Sequence, residues 1–213
     1  MNQKTKKLFR FGGIAFIIAG ILFFARYLFV FSIPNMPASD VDFLKWLDDW
    51  KFNIAMSNEF FFFATISLVP AIFVLFKILN ESDNIKAILG CGIFAVVIPV
   101  FACLDIIQGR LVYPVYNIVL SANIQKLVLS IYHGGMHATF IMIGIATIIL
   151  SFGIKNTSIG KPIMYLGFIT GVFDFLNAYP WVFGSIIVFI SELLFALWFV
   201  FIGVKIIIVN KAN

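Results

Sequence analysis

Residues 127–152 read LVLSIYHGGMHATFIMIGIATIILSF. This stretch runs 26 residues without one Asp, Glu, Lys or Arg. A membrane-crossing helix needs about 20 mostly apolar residues, ~30 Å at 1.5 Å per residue, and this run exceeds that length. Five more runs of the same kind flank it, at 11–31, 56–79, 87–108, 162–182 and 184–209. The composition agrees: 62% of the 213 residues are hydrophobic and 12% are charged, and mean hydropathy is +1.06. Soluble domains run at about 25% charged, so this chain has too little polar surface to cover a water-soluble globule. That excludes a soluble enzyme, a nucleic-acid binder and a disordered chain. The expectation is one all-α domain over 1–213, a polytopic bundle of six transmembrane helices whose partner is the lipid bilayer.

The first run follows Lys4, Lys6, Lys7 and Arg10, a basic entry like that of a signal peptide. Its apolar stretch is longer than the 7–15 residues typical of a cleaved one, so it reads as a retained span. Basic residues collect on the cytoplasmic side of membrane proteins. With the N-terminus inside, ten Lys and Arg (Lys4, Lys6, Lys7, Arg10, Lys77, Lys86, Lys155, Lys161, Lys205 and Lys211) fall on the inner side. Five (Arg26, Lys45, Lys51, Arg110 and Lys126) fall on the outer side. Both termini are then cytoplasmic, in a prokaryotic plasma (inner) membrane. The pI of 9.3 reflects inner-loop charge facing anionic lipid.

Between the first two spans, Ser39 and Asp42 match a capping box at a helix start. Phe43, Trp46, Leu47, Trp50 and Ile54 follow at helical spacing, with Asp42, Lys45, Asp48 and Asp49 on the other side. This predicts an amphipathic helix at the outer interface, an anchor or a lid. The connection 109–126, GRLVYPVYNIVLSANIQK, reads as an interfacial turn or a re-entrant piece. The Asn156-Thr157-Ser158 sequon lies on the inner side and is discounted. Cys91 and Cys103 are twelve residues apart on one run, ~18 Å along a helix, too far for a disulfide. The 27 Phe residues suit either an aromatic-lined cavity or a generally apolar bundle. The two halves show no internal repeat.

Ionisable residues inside spans are expensive and are functional candidates by default. Here they are Arg26, Glu59, Asp105, His133, His137, Asp174 and Glu192. In the topology above, all seven fall in the outer half. His133 and His137 lie ~9 and ~15 Å below the outer edge, and Asp174 and Glu192 ~12 Å below it. Helical angles place His133 and His137 on a stripe with Ser130, Phe140 and Gly144. Asp174 falls among Gly167, Gly171 and Ala178, and Glu192 among Ser185, Ala196 and Gly203. Small residues mark helix–helix contacts in membranes, so both acids should point into the bundle.

Three readings remain open. The first is an outer-half pocket of His133, His137, Asp174 and Glu192, with Asp105 and Asn177 beside them and Glu59 and Arg26 further off. Such a pocket would bind or translocate a small polar or cationic ligand with proton coupling. The second is a metal-dependent intramembrane hydrolase holding a divalent transition metal on His133, His137, Asp174 and Glu192. HGGMH lacks the Glu of HExxH, so a carboxylate from another helix would act as base. Haem fits poorly, because two His one turn apart cannot ligate opposite faces of one haem. The third is a structural or accessory membrane protein in which Arg26–Glu59, His–Asp and His–Glu contacts hold the helices in register.

Several short motifs resemble a bacterial family of six-helix membrane proteins known only as a domain of unknown function. They are Lys7-Leu8-Phe9-Arg10-Phe11-Gly12-Gly13, Ser57-Asn58-Glu59-Phe60, Gly160-Lys161-Pro162 with Gly167, and Trp198 with Gly203. The resemblance implies six spans and the same orientation, and no activity. The histidine pair is not part of it.

Overall fold

A computed structural model describes the backbone of residues 3–212 and the side chains of residues 3–210. Lys211, counted above among the inner basic residues, has its side chain outside the described residues. Seven α-helices occur there: α1 (Gln3–Phe31), α2 (Asp40–Asp49), α3 (Lys51–Asn80), α4 (Asn84–Gly109), α5 (Ala122–Ile154), α6 (Lys161–Asn177) and α7 (Pro180–Ala212). No strand forms among the described residues. Five helices, α1, α3, α4, α5 and α7, are long and apolar enough to cross a membrane. The architecture is compatible with a multi-pass membrane protein whose apolar helices contact lipid.

The fifth apolar run forms a shorter helix than 162–182 suggested. α6 has 17 residues, ~25 Å of axis. Ala178 caps it and Pro180 follows two residues later, where proline's missing N–H cannot continue a helix. The chain re-enters α7 at Pro180, earlier than expected, and bends at Gly184, whose φ of 75° only glycine adopts freely.

The six long helices pack in chain order, α1 on α3, then α4, α5 and α6, and α7 closes back on α1. The result is a closed antiparallel ring. The start of α1 and the end of α7 lie at one end of it, where Asn210 Nδ2 donates to the Lys6 carbonyl at 2.7 Å. The α1–α7 seam is close because it is built on glycine. A Cβ on Gly203 would lie 2.4 Å from the Gly13 carbonyl oxygen.

Phenylalanines fill the middle of the ring. Phe23, Phe61, Phe101 and Phe195, from four helices, meet with ring centroids 4.8–6.1 Å apart, and Phe16, Phe94 and Phe199 extend the cluster inward. Edge-to-face contacts add about 0.5–1.5 kcal/mol each beyond their buried area.

At the outer end, Ser39 caps α2 by accepting the Asp42 backbone N–H at 3.1 Å. The helix stops at Asp49, and Trp50 turns the chain into α3. Phe43 and Leu47 are buried against Leu111, Val112 and Leu129, so the helix lays its apolar face on the protein. Lys126 ties it to α5, reaching Asp40 Oδ1 and the Ala38 carbonyl, each at 2.7 Å. The 109–126 connection carries a 3₁₀ turn at Val115–Asn117. Tyr116 and Val119 at its tip are exposed.

Candidate functional site

Two of the expected residues reach the ring interior from adjacent helices. Asp174 is buried on the small-residue face of α6, among Gly167, Thr170 and Gly171. Glu192 is buried on α7 beside Ser191 and Ala196. Ser185 of the predicted α7 stripe is instead exposed, because it lies next to the bend at Gly184.

A third buried charge joins them, Arg26 of α1. Its guanidinium lies 4.4 Å from the Phe61 ring centre, a cation–π contact. One terminal nitrogen donates to the Tyr132 hydroxyl at 2.5 Å. The charges of Glu192 and Asp105 act on it, yet no carboxylate among the described residues lies within 4.0 Å of it.

Arg26, Asp174 and Glu192 line one cavity, floored by Phe23, Phe101 and Phe195. Its volume is about 10 Å³, near the room one water needs. Asp174 Oδ1 accepts from Ser191 Oγ at 2.9 Å, and Glu192 Oε1 accepts from Asn177 Nδ2 at 3.5 Å. Asp174 Oδ2 and Arg26 Nε are buried with no hydrogen-bond partner among the described residues. Leaving such atoms unpaired costs about 1–3 kcal/mol each, more when charged.

Asp105 is buried on α4 and held by Asn58, which donates to its carbonyl at 2.9 Å and also to its carboxylate. Glu59, next in sequence to Asn58, is exposed and accepts from the Tyr113 hydroxyl at 2.7 Å. The expected Arg26–Glu59 pair therefore does not form. Burial pushes the Tyr113 phenol up, and its bond to Glu59 adds to the rise.

The histidines lie elsewhere. The buried face of α5 is Leu129, Tyr132, Met136, Thr139 and Ile143, one residue round from the predicted stripe. Large apolar groups at those positions set the helix rotation. His133 is consequently exposed, beside the Tyr132 ring. His137 is half-buried against the α6–α7 turn, with Nδ1 2.7 Å from the Ala178 carbonyl oxygen and its ring against Tyr179 and Trp181. The His–Asp and His–Glu contacts expected of a purely structural role are replaced by these. No group of three or more His, Cys, Asp or Glu placed to hold a metal occurs among the described residues. The predicted set of His133, His137, Asp174 and Glu192 does not converge.

Three members of the layer were missed, Tyr132, Asn58 and Ser191, the last lying one residue before Glu192. Tyr132 could have been found by following the large apolar residues of α5 instead of the histidines. Asn58 was legible as an amide one residue from Glu59, on the helix face opposite lipid. The chain matches no family model, no curated protein and no solved structure.

Proposed function

We propose that this is an integral membrane protein that binds and translocates a small polar or cationic ligand through an outer-half centre built on Asp174, Glu192 and Arg26, with proton coupling. In this reading α6 is the fifth of six spans, both termini are cytoplasmic and the membrane is a prokaryotic plasma membrane. The amphipathic α2 lies at the outer interface across the mouth of the ring.

One observation carries the reading: Asp174, Glu192 and Arg26 share a buried cavity in which an acid oxygen and a guanidinium nitrogen have no partner. Charge accounting gives it meaning. Three carboxylates, Asp105, Asp174 and Glu192, are buried around one cation. Each bare charge removed from water costs several kcal/mol, and Arg26 can offset one acid. The rest of the balance is supplied by positive charge from outside the chain, a proton or a small cation. The cavity now holds about one water, so a larger ligand enters only when the ring opens at its outer end.

Infrared difference spectroscopy on protein in nanodiscs, across pH and with added sodium or potassium, tests this. A carboxyl band should respond in the wild type and vanish in Asp174→Asn or Glu192→Gln. Identical spectra in wild type and variants would sink the proposal and leave the structural reading.

A further inference from the structure

The ring has a second opening, at the end opposite the charged centre. A pocket of about 310 Å³ lies between the inner ends of α1, α3 and α7 and the α5–α6 loop. That is the low end of the range for small-molecule sites, about 300–1,000 Å³. Phe9, Ile78 and Ile206 form an apolar wall, and Glu81, Ser158 and Asn210 supply the polar groups.

Ser82 and Thr157 spend their hydroxyl protons on the Leu79 and Ile154 carbonyls, and Glu81 and Asn210 present acceptors. The Glu81 carboxylate makes no hydrogen bond or ion pair among the described residues. Asn210 spends its amide N–H on the Lys6 carbonyl, which leaves Oδ1 buried and unpartnered. No Lys or Arg among the described residues lines the pocket. A ligand that satisfies these atoms brings N–H donors and positive charge, and the wall of Phe9 and Ile206 takes a hydrocarbon body.

The pocket lies on the same helices as the outer centre. Along α1, Arg26 is followed inward by Phe23, Phe16 and Phe9; along α7, Glu192 is followed by Phe195, Phe199 and Ile206. Seventeen residues of α1 separate Arg26 from Phe9, ~25 Å of helix. The Phe cluster fills the space between.

We infer that the inner pocket is a binding site for a small amphipathic organic cation, a primary alkylammonium, with its ammonium on Glu81 and Asn210 Oδ1 and its alkyl chain on Phe9 and Ile206. This names the substrate class of the transport reading above and rests on that reading for its route; occupancy of the pocket is tested separately.

The probe is n-butylammonium added to the protein in nanodiscs, with n-butanol and butyrate as controls and thermal unfolding as readout. The wild type should show a saturable rise in Tm with butylammonium alone. Glu81→Gln should weaken the apparent affinity about tenfold, the size of one charge-assisted hydrogen bond. Asn210→Ala should weaken it less. Glu81 is exposed at a helix end, so the Gln variant folds. No response in the wild type overturns the inference, as does an equal response to butanol. A response that Glu81→Gln leaves intact also overturns it. The infrared result at Asp174 and Glu192 stands or falls independently.

Discussion

The middle of the ring and its outer half bury side chains equally well and by opposite means. In the middle, Phe23, Phe61, Phe101 and Phe195 come from four helices and fill one space with rings alone. One turn outward, Arg26, Asp105, Asp174 and Glu192 are buried to a similar degree, and some of their atoms find no partner. The first arrangement gains dispersion and leaves nothing unsatisfied. The second gives up stability at every unpaired atom. A bundle needing only to hold together has no use for the second layer, since well-packed apolar residues hold it as well or better. The contrast therefore separates a middle packed by dispersion from the charged layer on which the proposed function rests.

The contrast breaks most directly at Phe61, which has no exposed surface and touches both Phe23 and Phe101. Phe61→Ala should cost about 3 kcal/mol through the cavity left behind, read by unfolding in nanodiscs. The carboxyl infrared band at the outer centre should persist, shifted only by loss of the ring beneath the Arg26 guanidinium. A loss of the band with stability retained would reverse the assignment of the two regions.

Next in size is Asn58→Ala. It removes both hydrogen bonds that Asp105 receives from α3 and should destabilise by about 2 kcal/mol, the cost of orphaning a buried acceptor. Asp174→Asn should act in the other direction, raising stability by about 1 kcal/mol as a buried charge is removed, while abolishing the response to protons or cations. A destabilised Asn variant would place Asp174 with the structural residues of the middle.

The sequence supports these two regions unevenly. Hydropathy runs located every long helix, because a helix of this kind satisfies its backbone internally and stays apolar over about 20 residues. The cap at Ser39 was legible because its side chain bonds a backbone N–H three residues away, a local event. Asp174 and Glu192 were found from the small residues around them, which mark close helix contacts. The histidines were misplaced because a stripe of polar and apolar positions leaves helix rotation free by about one residue. On α5 the bulk of Tyr132 and Met136 decided it. Arg26 was seen and given the wrong partner, since pairing it with Glu59 used depth alone. The partner it takes, the Tyr132 hydroxyl, lies 106 residues away on another helix, and no local pattern records that meeting. The short α6 was set by Pro180, which an unbroken hydropathy run passes over.

The smallest effect lies at the edge of the polar layer, where Tyr113 donates to Glu59 at 2.7 Å. Tyr113 is 37% exposed, so solvent weakens whatever its hydrogen bond contributes. Its phenol still carries a sign that can be read. Burial first, and the bond to Glu59 second, raise it above the ordinary tyrosine value of 10.0. A folded-state value raised above the unfolded one stabilises fully below the unfolded value and fades as pH climbs through the folded one. Wild type should therefore unfold slightly later than Tyr113→Phe at pH 7 to 9, by a constant margin. That margin should shrink once the pH exceeds about 10, where the unfolded phenol ionises and the folded one resists. Thermal melts of the two proteins across that range make the measurement. A margin that grows above pH 10 would mean the folded state favours the phenolate, and Glu59 would then not be the group facing Tyr113. An unchanged margin would place the contact outside the titrating part of the outer layer, and so redraw the border between the layer that stores charge and the rim that merely covers it.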